Sequence, residues 1–122
     1  CSTINCFDLY YDEVNKLTYL ENTLYTGDCK SYFFTGNLKS EQSYINGKDH
    51  GDWIFYFSNG NIQTMGTFEN GIKVGKWQYY HENGKIFKEN FYSDIGTKIG
   101  LWKTYDKNGI LIKEEKIIGF DN

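Results

Sequence analysis

Apolar and polar residues alternate along this chain in short runs, and the runs recur. Glycines at Gly27, Gly51, Gly75 and Gly100 each open a unit. Two residues on stands Trp53, Trp77 or Trp102, with Cys29 in the first unit. Five residues on stands Tyr32, Tyr56, Tyr80 or Tyr105, and nine on stands Gly36, Gly60, Gly84 or Gly109. An aliphatic residue follows at Leu38, Ile62, Ile86 or Leu111, then Tyr44, Phe68, Tyr92 or Ile117. A second Asn-Gly, Asn46-Gly47 or Asn70-Gly71, closes the unit, and Asp94-Ile95-Gly96 is its stretched version. The Trp and Tyr columns are read as the structural core of the repeat.

Asn-Gly between two aromatic-rich runs is a strong hairpin signal, because both residues tolerate the positive φ of a tight turn. Each unit therefore reads as one β-hairpin. A lone hairpin is marginal in water, so neighbouring units must stack their aromatic columns. The predicted fold is all-β: tandem hairpins forming an elongated, twisted antiparallel meander, with units at 27–50, 51–74, 75–99 and 100–122. Residues 1–24 do not match a unit and read as an N-terminal cap over the first hairpin. At the other end, Lys113, Glu114, Glu115 and Lys116 put charge on the last strand, which discourages edge-to-edge pairing. Trp and Tyr columns three apart point to opposite faces of an ideal strand. Either both faces are partly covered, or a bulge after the glycine re-aims one column.

Composition sharpens this picture. Aromatic residues make up 19% of the 122 residues and proline is absent, which suits strands and leaves every internal amide free to donate. The formal net charge is −3 with both signs interspersed. That excludes the basic footprint of a nucleic-acid binder and fits a basic partner. No run approaches the roughly 18 apolar residues of a membrane helix.

Catalytic and metal signatures are missing. His50 and His81 lie in different repeat columns, with no H-x-x-x-H or C-x-x-C spacing. There is no G-x-S-x-G and no phosphate-binding G-x-x-x-x-G-K, and carboxylate neighbours such as Glu114-Glu115 and Asp49-Asp52 read as solvated acids. The expectation is a binding protein rather than an enzyme, without metal or cofactor. Two columns carry aromatics that the repeat does not require: Ser31, Phe55, Tyr79, Thr104, and Phe33, Phe57, His81, Asp106. They share strand parity with the Trp column. Phe55, Phe57, Tyr79 and His81 thus form a candidate partner-binding patch; the alternative is an extension of the core. Phe34 and Phe87 are further aromatics of the same kind.

With G-x-W-x-x-Y, the Asn-Gly turns and the lead-in Leu24-Tyr25-Thr26-Gly27 in view, the chain resembles bacterial MORN-type variant repeats. It is similar to the YwqK-type proteins described as antitoxin or immunity components. That resemblance covers residues 24–122 and implies non-catalytic binding of another protein. The first unit departs from it at Cys29 for Trp and Thr35 for Asn, where a disulfide from Cys6 would offer a replacement staple. The start, Cys1 followed by Ser2 and Thr3, resembles a mature bacterial lipoprotein and implies a lipid on Cys1. Cys6 and Cys29 would then remain as an even pair suited to an oxidising compartment; the alternative is two reduced, buried cysteines. The expected location is the bacterial cell envelope, with contact to a membrane only through that lipid; the alternative is the cytoplasm. A structural, adhesive or glycan-binding role of an exported surface lipoprotein is the second functional expectation.

Overall fold

A computed structural model describes residues 3–118; the suggested lipid site at Cys1 lies outside them. In chain order the elements are β1 (Ile4–Asn5), a single 3-10 turn at Cys6–Asp8, β2 (Leu9–Asp12), β3 (Leu17–Leu20) and β4 (Thr23–Leu24). Then follow β5 (Gly27–Tyr32), β6 (Leu38–Ile45), β7 (Lys48–Asp49), β8 (Gly51–Tyr56) and β9 (Ile62–Glu69). The chain continues through β10 (Ile72–Tyr80), β11 (Ile86–Tyr92), β12 (Lys98–Tyr105) and β13 (Leu111–Ile117). Strands β5, β6, β8 and β9 to β13 pair in sequence order as one open antiparallel sheet, with β7 hydrogen-bonded to β6. β1 adds to the outer edge of β5 in parallel, opposite Cys29 and Lys30, and β2 to β4 form a separate small sheet.

The two turns of each unit differ in kind. At Asn46-Gly47 and Asn70-Gly71 both residues have positive φ (49° and 81°; 51° and 85°), the two-residue turn that matches strand twist. At the other end only the glycine is left-handed. The Phe57 amide donates to the Asn61 carbonyl, and the Gly60 amide to that of Phe57. The same pair of bonds recurs from Phe33, His81 and Asp106. This longer turn ends in a one-residue bulge at Lys39, Gln63, Phe87 and Ile112. The expectation that both Asn and Gly turn left-handed thus holds at only one end of the hairpin. The stretched Asp94-Ile95-Gly96 turn is of the longer kind, with Ser93 amide to Thr97 carbonyl and Gly96 amide to Ser93 carbonyl.

Each junction between hairpins contains a register break. Val74 lies opposite Thr67, but Gln78 lies opposite Met65, so four residues on β10 answer two on β9. The same two-residue surplus separates Phe91–Ile99 from Glu89–Lys103. Gly51, Gly75 and Gly100 sit near these breaks with φ of 92°, 70° and 78°, where a side chain would be strained. An even surplus preserves the alternation of a strand. The tryptophans therefore stay on one face, and the Tyr column takes the other: both faces are partly covered. Each indole N–H donates to a carbonyl at the break, from Trp53 to Ser43 (2.9 Å), Trp77 to Thr67 (3.1 Å) and Trp102 to Phe91 (3.2 Å).

On the tryptophan face the rings make an edge-to-face ladder. Successive centroids are 5.8 Å apart for Tyr25–Tyr44, 5.3 Å for Tyr44–Trp53, 4.9 Å for Trp53–Phe68 and 5.0 Å for Phe68–Trp77. Tyr92 and Trp102 continue it at 5.5 Å. Edge-to-face contact aligns the positive ring edge with the negative face of its neighbour. At the N-terminal end Ile4, Cys6, Leu9 and Leu20 pack against Tyr25, Cys29, Tyr44 and Trp53. Cys29, in the tryptophan column, is joined to Cys6 by a disulfide with Cα atoms 4.9 Å apart. On the opposite face Tyr56 donates to Glu41 (2.6 Å) and the Tyr80 hydroxyl meets the Met65 sulfur (3.8 Å). Tyr32 and Tyr105 occupy the same column.

Candidate functional site

Strand pairing sets the rows of the tryptophan face. Because paired residues share a face, the pairs Ser31–Ser40, Ser40–Phe55, Phe55–Thr64, Thr64–Tyr79, Tyr79–Lys88, Lys88–Thr104 and Thr104–Lys113 form one row across the whole sheet. Phe55 and Tyr79 thus lie two strands apart in the same row, bridged by Thr64. A second row follows at the turn end. There the bulge residues Lys39, Gln63, Phe87 and Ile112 stand beside Phe33, Phe57, His81 and Asp106. His81 and Phe87 approach to 4.7 Å between ring centroids.

The four patch residues sit on this one face, all half-buried, but in different settings. Phe55 packs against Trp53 at 6.1 Å and belongs partly to the core. Phe57 lines an open hollow of about 280 Å³ with Phe33, Lys39, Phe55, Ser58 and Gln63. The Tyr79 hydroxyl receives the Lys73 ammonium at 3.4 Å, and burial raises its pKa. His81 donates from Nε2 to the Tyr105 carbonyl at 2.8 Å, tying one turn to the next. His50 accepts the Asn70 amide at Nδ1 (3.3 Å). Among the described residues no three of His, Cys, Asp and Glu converge on a point where a metal could sit.

The turn ends are stitched together. Asn37 donates to the Ser58 carbonyl, Asn59 and Asn61 to that of Glu82, and Asn83 to that of Lys107, all at 2.8–2.9 Å. These bonds hold successive hairpins at a common level, which keeps the second row in line. Phe34 projects fully exposed from the first of these turns.

Sequence reasoning singled out Phe55, Phe57, Tyr79 and His81 but missed the neighbours that complete the surface, chiefly Lys39, Gln63 and Lys88. It also missed the column four residues before Trp: Tyr25, Asp49, Lys73 and Lys98. Those side chains lie over the ladder. Tyr25 packs on Tyr44, and Lys73 lies 4.7 Å from the Trp77 centroid and 5.9 Å from that of Tyr92. Lys98 lies 5.1 Å from the Trp102 centroid. A fixed offset from each Trp was the available signal. Asp49 is paired with Tyr44, and burial raises its pKa. The Tyr44 hydroxyl is pushed up to about 12, first by burial and then by the Asp49 carboxylate.

The opposite face carries a different hollow, of about 320 Å³, lined by Asp28, Lys30, Glu41, Ser43, Asp52 and Ile54 among others. Its carboxylates are already engaged: Ser43 donates to Asp28 (2.8 Å), Thr67 to Asp52 (2.8 Å) and Tyr56 to Glu41.

A family model described as MORN repeat variant matches the chain four times, at residues 25–46, 49–70, 73–94 and 98–116. Each match holds one hairpin and starts two residues before the unit-opening glycine. No curated protein and no solved structure is significantly similar to the chain. The four matches span well over half of its length, and the chain belongs to the MORN repeat variant family, whose repeats are generally protein- or membrane-binding modules.

Proposed function

We propose that this chain is a non-catalytic module that binds another protein through the turn end of its tryptophan face, in an antitoxin- or immunity-like role. One observation carries the reading. Phe33, Phe55, Phe57, Tyr79, His81 and Phe87 lie in two adjacent rows of one face, and the first three of them line an open hollow of about 280 Å³. Rigid aromatic side chains interleaved with Gln63, Thr64 and Lys39 are the makings of a binding hot spot. Phe57 is the best probe, because Phe55 also supports the core. The test is affinity capture with mass spectrometry at native expression, followed by reconstitution of the complex from purified components. Phe57→Ala is expected to lose a stoichiometric partner with an unchanged circular dichroism spectrum. A partner retained by Phe57→Ala and by Phe87→Ala would refute this placement of the site.

A second reading is supported by the Cys6–Cys29 disulfide, since such bonds persist in oxidising compartments. It is an envelope location with an adhesive or glycan-binding role. Thiol counting of protein isolated from its own cells tests it: free thiols at Cys6 and Cys29 would remove its support.

A further inference from the structure

We infer that the tryptophan face of the last two hairpins docks an acidic polypeptide segment. This rests on the protein-binding reading and supplies the chemistry of the partner. The formal charge of −3 suggested a basic partner, but it is unevenly placed. Residues 1–24 hold Asp8, Asp12, Glu13 and Glu21 against Lys16, and acids and lysines balance in the rest of the chain. Within that balance, the tryptophan face from β10 onward presents Lys73, Lys88, Lys98 and Lys113. Its acids are Glu115, opposite Trp102, and Asp106, whose carboxylate accepts the Asn108 and Ile110 amides of its own turn.

None of these four lysines is in an ion pair among the described residues. The single pair there, Lys76–Glu89 at 3.3 Å, involves residues of the opposite face. Three of the four rest on rings instead: Lys73 on Trp77 and Tyr92, Lys88 on Phe87 at 5.1 Å, and Lys98 on Trp102. A ring holds an ammonium in place without neutralising it. The cations are thus partly ordered before any ligand arrives, which reduces the entropy lost on binding.

The spacing favours a polypeptide. Lys88 and Lys113 stand in one row with Thr104 between them, while Lys73 and Lys98 flank Tyr92, four residues or roughly 13 Å further along β11. Two lysine pairs that far apart suit several carboxylates along an extended chain better than one phosphate. Thr104 lies between Lys88 and Lys113, and Tyr79 stands beside Lys88, where both can contact the chain itself. Rings that lie buried or half-buried beneath lysine stems cannot insert among acyl chains, as the apolar face of an interfacial anchor does.

The experiment titrates the intact protein with a short peptide of alternating Glu and Tyr. Controls are the matching Lys–Tyr peptide and vesicles of phosphatidylcholine with phosphatidylserine. Two variants remove equal charge from opposite faces: Lys73→Gln with Lys88→Gln and Lys98→Gln, and Lys30→Gln with Lys103→Gln and Lys116→Gln. The expected result is saturable, salt-sensitive binding of the Glu–Tyr peptide alone. The first variant should weaken it about tenfold or more, and the second by less than about twofold. Equal weakening by both variants, or equal binding of both peptides, would overturn the inference. A partner captured through Phe57 whose affinity ignores the first variant also sinks it while leaving the protein-binding reading intact. Binding to vesicles alone sinks both.

Discussion

Gly66 gives the sharpest test of how the ladder is packed. It lies opposite Trp53 in the middle of β9, and its φ is not among the left-handed glycines. Backbone conformation therefore does not require glycine there, and on strand propensity alone alanine would gain roughly 0.5–1 kcal/mol. Space gives the opposite answer. A Cβ at Gly66 would fall 2.1, 2.3 and 2.5 Å from Cδ2, Cε2 and Cε3 of Trp77. The indole cannot swing clear. Phe68 holds it on one side, Lys73 covers its face, its N–H is bonded to Thr67, and only 2% of the residue is exposed. Overpacking of this sort costs about 1–3 kcal/mol or more, which exceeds the propensity gain. Gly66→Ala is expected to lose about 2 kcal/mol net, which for a chain of this size lowers Tm by roughly 6–8 °C. Urea and thermal unfolding followed by circular dichroism and tryptophan fluorescence measure it. Pairing it with Trp77→Phe should give a loss smaller than the sum of the two single losses, because the smaller ring vacates the contested space. A Gly66→Ala protein as stable as the parent, or more so, would refute the argument.

Two further outcomes follow from the same geometry. The Cys6–Cys29 bond spans a sequence separation of 23 residues, so Cys6→Ser with Cys29→Ser should lose about 3 kcal/mol by the loop-entropy relation; urea unfolding with and without reductant checks it, and unchanged midpoints would show that the cap is held by packing alone. Tyr44 and Tyr56 are raised from 10.0 to about 12, in both cases chiefly by burial. A hydroxyl that loses its proton more readily when unfolded contributes stability that is complete below pH 10 and is lost as pH rises toward 12. The urea midpoint should therefore fall across that window, with an ultraviolet titration showing Tyr44 and Tyr56 among the late-ionising phenols; a flat midpoint would contradict the assigned burial.

Much of the architecture was legible because its causes are local. Asn46-Gly47 and Asn70-Gly71 accept the positive φ of a tight turn, and alternation along each strand sorts Trp from Tyr. Those constraints act over two to five neighbouring residues, so the hairpins and their order could be read directly. The shared face of Phe55, Phe57, Tyr79 and His81 followed from the same period-two rule. The three-residue spacing of Trp53 and Tyr56 left two arrangements open, and the folded sheet takes the one in which the two columns face opposite ways.

What tertiary structure decided depends on distances between strands that the order of residues does not encode. The surplus of two residues at each junction preserves the alternation, but it also places Lys73 and Lys98 over the rings of Trp77 and Trp102. Nothing local distinguishes those lysines from the exposed Lys85 or Lys107. Gly66 looks like a turn glycine until Trp77 is seen lying on it. Phe55 and Phe57 occupy adjacent places on one face, yet Trp53 draws Phe55 against the core and leaves Phe57 at an open hollow. Likewise, a net charge read from composition is silent about faces. Turns and alternation are set by neighbours in sequence, whereas burial, close approach and the sign of a surface are set by neighbours in space, which only the folded sheet supplies.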